Sequence, residues 1–374
     1  MANSKKKAGI LTFHNAHNYG AVLQAYALKT KLNEMGHEAQ VVNYCNPKVQ
    51  ATYPRHLLPV YCKRDLLPTH WKQNLVKIID CIYGWKSWGE QWEKFEAFIQ
   101  THLLNGKTEK LGLEQLAELD LDLFILGSDQ IWESYITGGL DRVYLGDFST
   151  DADIVSYAAS LNGSSLSEQE AAVLKEKLPR LKEIAVREEK LAAYFRELLN
   201  REVYTVVDPT LLLEAKDYEP LINKDLEEKE KYIFAYFVRE DEALTKCVKE
   251  IQKQKNIKVI ELHYFRTMGV HEENQIANIG PSEFLYYIKN AEFVLTNSFH
   301  GTVFSVLYEK QFYCVYEKNT RIENLLEFID ATNRHIRNEQ MIDMSQVVDY
   351  SDVSGKLEAY RKQSVDYLEL ALKG

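Results

Sequence analysis

Six residues, Thr296-Asn297-Ser298-Phe299-His300-Gly301, join one apolar run, Phe293-Val294-Leu295, to another, Val303 to Leu307. A short apolar run, a polar turn and a second, helix-like apolar run describe a buried strand of a parallel sheet feeding a helix. That junction aims backbone N–H groups and the positive end of a helix dipole at whatever the turn faces. Asn297 or Ser298 can cap the helix, and Gly301 would let a ligand approach the backbone. An imidazole at such an anion cradle, His300, suits proton transfer on a phosphorylated or carboxylated substrate. A capping or packing histidine is the competing reading.

The same grammar recurs along the chain. Ala8 to Phe13 reads as a buried strand, Asn15 to Gly20 as a polar loop, Val22 to Met35 as an amphipathic helix ended by Gly36, and Ala39 to Tyr44 as a second strand. This β-loop-α-β unit opens a doubly wound sheet. Further strands are expected at 123–126, 154–159, 183–187 and 204–207. A charge-rich stretch, 214–231, separates them from a second series with strands at 232–237, 258–262, 293–296 and 311–315. The expected architecture is therefore α/β, with two Rossmann-like domains. These are an N-terminal domain, 1–210, carrying an irregular proline-containing insertion at about 46–90 with short helices from about Trp71 onward, and a C-terminal domain, 211–345. A terminal helical segment, 346–374, could pack back on the N-terminal domain.

The net charge of −10 argues against non-specific nucleic-acid binding. Five scattered cysteines without CxxC or Cys/His spacing give neither a disulfide framework nor a zinc site, and free thiols in a reducing cytoplasm fit best. The sequence has no run of about 18 apolar residues, the length needed to span a bilayer. The stretch Val76 to Trp92, with Trp85 and Trp88, could rest on a membrane surface. Burial under a neighbouring element accounts for it better.

Four polar loops stand at expected strand ends, where ligands of open α/β sheets bind. In the first, Asn18-Tyr19-Gly20 opens a helix and suits a phosphate or carboxylate. Its His14 and His17 are a weak metal pair, because a loop lacks the helical face that would align them. In the second, Gly127-Ser128-Asp129-Gln130-Ile131-Trp132, Asp129 could be a general base or a helix cap, and Trp132 could stack on a sugar ring. The third holds Arg187, a bidentate fork for an anion or else a partner for Glu188. The fourth is the turn with His300. Soon after it, Arg321 near a helix start asks for an anionic partner, since the dipole there disfavours a cation.

Taken in order, Asn18-Tyr19-Gly20, Gly127-Ser128-Asp129-Gln130-Ile131-Trp132, Ser156-Tyr157-Ala158-Ala159-Ser160, Val186-Arg187-Glu188, Asp208-Pro209-Thr210 and Asn297-Ser298-Phe299-His300-Gly301 resemble the polysaccharide pyruvyl transferase family over roughly residues 8 to 330. The resemblance implies a GT-B-like pair of domains facing a cleft. It also implies transfer of an enolpyruvyl unit from phosphoenolpyruvate to sugar hydroxyls of a cell-surface polysaccharide precursor, giving a pyruvate ketal and phosphate. No metal or further cofactor is expected. The acceptor would be a glycan or lipid-linked saccharide, met in the bacterial cytoplasm or at the inner membrane face. The resemblance carries over Arg187 as a donor-anion ligand and His300 as the acid. Ser298 departs from the arginine that members often carry two residues before this histidine, so that either Arg321 or another basic residue replaces that charge, or the donor differs. A GT-B glycosyltransferase using a nucleotide sugar and a non-catalytic glycan-binding relative are the alternatives.

Overall fold

The computed structural model describes residues 5–55, 71–161, 166–239, 241–263, 274–336 and 345–373, with side chains of 71–84 and 255 excluded. It divides into two compact units. The first takes Met1–Tyr53, Phe98–Glu214 and Asp352–Gly374, and the second takes Pro54–Ala97 and Ala215–Ser351.

In the first unit β1 (Lys7–Leu11), β2 (Glu38–Val41), β3 (Leu123–Leu126) and β4 (Asp153–Ser156) form a parallel sheet in the order β2-β1-β3-β4. Isolated parallel bridges, Val155 to Glu183 and Ala159 to Val186, continue it towards β5 (Ala185–Val186) and β6 (Tyr204–Thr205). The strand order reverses between β1 and β3, so a crevice is expected beyond their carboxyl ends. The helix Tyr19–Glu34 follows β1 and is buried over most of its length, as a helix covering a parallel sheet must be. Asn18 starts it by accepting from the N–H groups of Gly20 and Ala21.

The terminal helix Val353–Leu372 belongs to this unit. Arg361 donates to the carbonyls of Leu211 and Leu213 at 2.6 and 3.1 Å, Ser364 Oγ accepts from Val207 N, and the Tyr367 hydroxyl donates to Ser156 O at 2.6 Å. These bonds satisfy backbone groups at the ends of β4 and just beyond β6, where the ladder no longer does.

In the second unit β7 (Tyr232–Tyr236), β8 (Lys258–Leu262), β9 (Gln275–Ile276), β10 (Phe293–Thr296), β11 (Phe312–Val315) and β12 (His335–Ile336) form one parallel sheet, ordered β12-β11-β10-β7-β8-β9. Counted within the unit this is the 3-2-1-4-5-6 order of a dinucleotide-binding sheet, with its reversal between β7 and β10. Tyr236 is level with Leu262 on one side and Thr296 on the other, so three strands end together. One face is filled by Ile233, Ala235, Val259, Phe293 and Leu295 with Leu244, Val248 and Ile251 of the helix Glu242–Lys255.

The insertion expected at about 46–90 is divided between the two units, its residues up to Tyr53 going with the first and Pro54–Ala97 with the second. Its described parts are helical, Pro47–Thr52 and Trp71–Phe98, while residues 56–70 of that expectation lie outside the described residues. Pro47 starts a helix instead of breaking one, because at the first helical position its missing N–H costs nothing and Asn46 caps the turn. The long helix contains glycines but no proline, and so continues for 28 residues, about 42 Å. Residues 54–97 go with the second unit because Glu90 accepts from Asn278 Nδ2 at 2.8 Å and Lys94 pairs with Glu283 at 3.0 Å. Of its tryptophans, Trp88 is buried and donates to Pro54 O, and Trp92 lies under the Arg55 guanidinium. Trp85 stays exposed. No helix among the described residues is long and apolar enough to cross a membrane.

Removing the Tyr367 hydroxyl tests the docking of the terminal helix. Tyr367→Phe leaves the buried Ser156 carbonyl without that donor and should lower stability by about 1–2 kcal/mol in urea unfolding. An unchanged midpoint would show that the helix docks by apolar packing alone.

Candidate functional site

On the second unit, the turn after β10 is built from its own side chains. Thr296 Oγ1 donates to Tyr236 O and accepts from Ser298 N, both at 3.0 Å, tying the ends of β7 and β10 together. Ser298 is the N-cap of the helix Phe299–Leu307, its Oγ accepting from Gly301 N at 3.1 Å. Asn297 reaches sideways: its Oδ1 accepts from Val238 N at 2.8 Å and its Nδ2 donates to Arg239 O at 2.9 Å. Asn297, one of the two expected caps, is thus the clamp between the two loops that flank the strand-order reversal.

Gly301 has a different reason from the expected one. A Cβ there would stand 2.5 Å from Thr296 Oγ1, so the glycine admits the threonine that ties the strands and does not open the backbone to a ligand. His300 sits in the first helical turn, 8% exposed, with its ring edge-on to Phe299 at 5.0 Å. Arg321, in the first turn of the helix Thr320–Phe328, holds its guanidinium 5.6 Å from the Phe299 ring centroid. Both expected groups, the imidazole and the cation, therefore lie against the Phe299 ring. Two groups that sequence reasoning missed stand on the same sheet edge. Glu261 and His263 form a buried pair at 3.0 Å, with His263 stacked on Phe237 at 4.3 Å. The only signal was a charged residue inside the apolar run of β8.

On the first unit the loop after β3 is knitted to its neighbours. Ser128 O accepts from Thr12 Oγ1 at 2.8 Å, and a bridge links Asp129 to Ala159, which in turn bridges to Val186. Asp129, half-buried with φ 80°, accepts from Gln130 N at 2.8 Å and so organises its own turn. Arg187 is buried. Its guanidinium meets Asp208 Oδ2 at 3.0 Å and Ser128 Oγ at 2.6 Å. Burial works against its charge, but the carboxylates of Asp208, Glu188 and Asp129 outweigh burial, and its pKa is raised. The counter-ion is thus Asp208, which also accepts from Thr210 N and Oγ1, whereas Glu188 accepts from Ser160 Oγ at 2.7 Å. Arg187, expected to face a donor anion, here neutralises Asp208 and fixes the Ser128 loop.

Several expected ligands are structural. Trp132 is fully buried, donates Nε1–H to Tyr144 O at 2.8 Å and packs edge-on against Phe195, so it offers no face to a sugar. The Asn18 side chain is spent on its helix cap, and Tyr19 and Gly20 are buried in that helix. The nitrogens of His14 meet Asn43 Oδ1 and Thr12 O. Among the described residues no group of three His, Cys, Asp or Glu side chains is placed to hold a metal ion. Burial pushes the Cys314 thiol up to about 12 and Cys247 to about 11, so neither serves as a nucleophile at neutral pH.

The polysaccharide pyruvyl transferase family model matches residues 18–319. No curated protein matches the sequence. Among solved structures, the UDP-GlcNAc 2-epimerase from Methanocaldococcus jannaschii is 11% identical with a TM-score of 0.51 over 99% of this chain and 93% of that one. The S. aureus MnaA–UDP co-structure is 15% identical, with a TM-score of 0.48 over 99% and 90%. The calicheamicin glycosyltransferase CalG4 is 12% identical, with a TM-score of 0.43 over 98% of each chain. At such identity the epimerase likeness is one of fold, two Rossmann-like α/β units.

Gly301→Ala should cost about 1–3 kcal/mol, because the new methyl must displace Thr296 from both of its bonds. Thermal unfolding of the variant measures it, and wild-type stability would show that the turn is held by other contacts.

Proposed function

The chain belongs to the polysaccharide pyruvyl transferase family, and on that premise we propose that it moves an enolpyruvyl unit from phosphoenolpyruvate to a pair of sugar hydroxyls of a cell-surface polysaccharide precursor. In that reaction C3 of the donor gains a proton and C2 takes two sugar oxygens. The C2–O bond to phosphate breaks, leaving a pyruvate ketal and inorganic phosphate. The observation that carries the reading is the gathering of His300 and Arg321 around Phe299 at the N-terminal end of a buried helix.

Each donor group finds a suited partner there. The donor is a dianion or trianion, and a helix N-terminus with an arginine beside it lowers the cost of collecting that charge. Protonating C3 makes C2 electrophilic. An imidazole is the side chain whose ordinary pKa suits that proton transfer at neutral pH, which makes His300 the acid. Arg321 binds the donor, and its place over an aromatic ring keeps the guanidinium flat and directed. Ser298 and Asn297 act through geometry, the first by capping the helix and the second by holding the neighbouring loop. On the first unit, Arg187 and Ser128 fix the loop that carries Asp129. No metal and no cofactor beyond the donor is invoked. The acceptor is a glycan or lipid-linked saccharide, met at the cytoplasmic face where such precursors are built.

Phosphate release from phosphoenolpyruvate with a panel of glycans tests the reading. His300→Ala should lose turnover by at least about a hundredfold while its unfolding midpoint stays near that of the unaltered chain. Near-normal turnover would remove the acid role. Thermal stabilisation by UDP- or GDP-sugars but not by phosphoenolpyruvate would replace this reading with a nucleotide-sugar glycosyltransferase.

A further inference from the structure

The loop after β7 is held in place by a side chain from the other side of the strand-order reversal. Its first residues follow Phe237, and Asn297 grips it at two consecutive residues, through Val238 N and Arg239 O. Asn297 directly precedes the Ser298 cap. β7 and β10 are neighbours in register, so their chains run about 4.8 Å apart. Arg239 therefore springs from a backbone locked one strand spacing from the turn that carries His300, a gap that an arginine stem spans.

The side chain of Arg239 is exposed and makes no ion pair with a described residue. The acidic residue closest in the described sequence, Asp241, is engaged as the N-cap of the next helix, accepting from Leu244 N. Across the turn stands Arg321 on its own helix, beside Phe299. Two cations thus flank one helix N-terminus, from the loop after β7 and from the helix after β11. A held backbone, an exposed cationic head and no carboxylate paired to it among the described residues suit an anion-binding arm.

We propose that Arg239 is a donor-binding residue, placed by Asn297 so that its guanidinium meets one anionic group of phosphoenolpyruvate while Arg321 meets the other. This role rests on the pyruvyl-transfer reading above and names a second cation for the same site. Guanidinium suits it because it can pair in bidentate fashion with either a carboxylate or a phosphate.

Calorimetric titration of the full chain with phosphoenolpyruvate, and in parallel with UDP, tests the assignment. Arg239→Gln should weaken phosphoenolpyruvate binding on the order of tenfold, with Arg239→Lys recovering part of the loss. Its unfolding midpoint should not move, since the side chain is exposed. Asn297→Ala should weaken binding as well. The double variant should be little worse than the weaker single one, because the clamp and the arginine act as a unit. Added salt should weaken the unaltered chain more than Arg239→Gln. Unchanged affinity of Arg239→Gln for phosphoenolpyruvate, additive losses in the double variant, or a loss confined to UDP would each overturn the role of Arg239 while leaving the donor standing. No binding of phosphoenolpyruvate by the unaltered chain would instead remove the donor, and the role with it.

Discussion

The parallel register of β7, β8 and β10 is the constraint on which the second unit's working edge depends. Leu262, Tyr236 and Thr296 end level, so His263, Phe237 and Asn297 come next in a row across three strands. Parallel strands all expose their last carbonyls at one edge, and each must find a donor there or lose the bond. Thr296 Oγ1 answers for Tyr236 and Asn297 for Arg239. The polar residues of this edge are thus ladder substitutes first, and the chemistry is set upon a surface that the sheet already required.

The first unit handles charge differently. Burying Arg187 and Asp208 removes two ions from water, and such a pair seldom adds net stability over an apolar replacement. Removing one partner would strand the other, which makes the pair a strict one. Its second effect is positional: the same guanidinium holds Ser128, and a glycine at φ 112° just before it passes within touching distance of the Tyr157 carbonyl. A Cβ at Gly127 would meet that carbonyl at 2.4 Å, so the loop that presents Asp129 is shaped by close backbone contact as much as by charge.

Much of the fold was legible in advance, because short apolar runs such as 123–126 and 293–295 followed by polar turns mark buried strands and one edge of a parallel sheet. The site was legible as positions, less as roles. Trp132 reads as a sugar platform until Tyr144 and Phe195 enclose it. Gly301 reads as room for a ligand until Thr296 fills that room, and Arg187 as an open fork until Asp208, 21 positions on, closes it. Prolines at 47 and 54 read as irregularity, although the first of them begins a helix.

The sequence by itself determined the class of sheet, the places where strands yield to helices, the family, and the presence of a histidine at a helix start, since hydrophobic period and cap residues act over a few neighbours. Which polar groups face each other, that Asn297 clamps the loop carrying Arg239 and that Phe299 gathers His300 with Arg321, was decided only by tertiary structure. Those contacts join residues about 20 to 60 positions apart, and parallel strands bring them level only after crossovers whose lengths leave no trace in the local pattern.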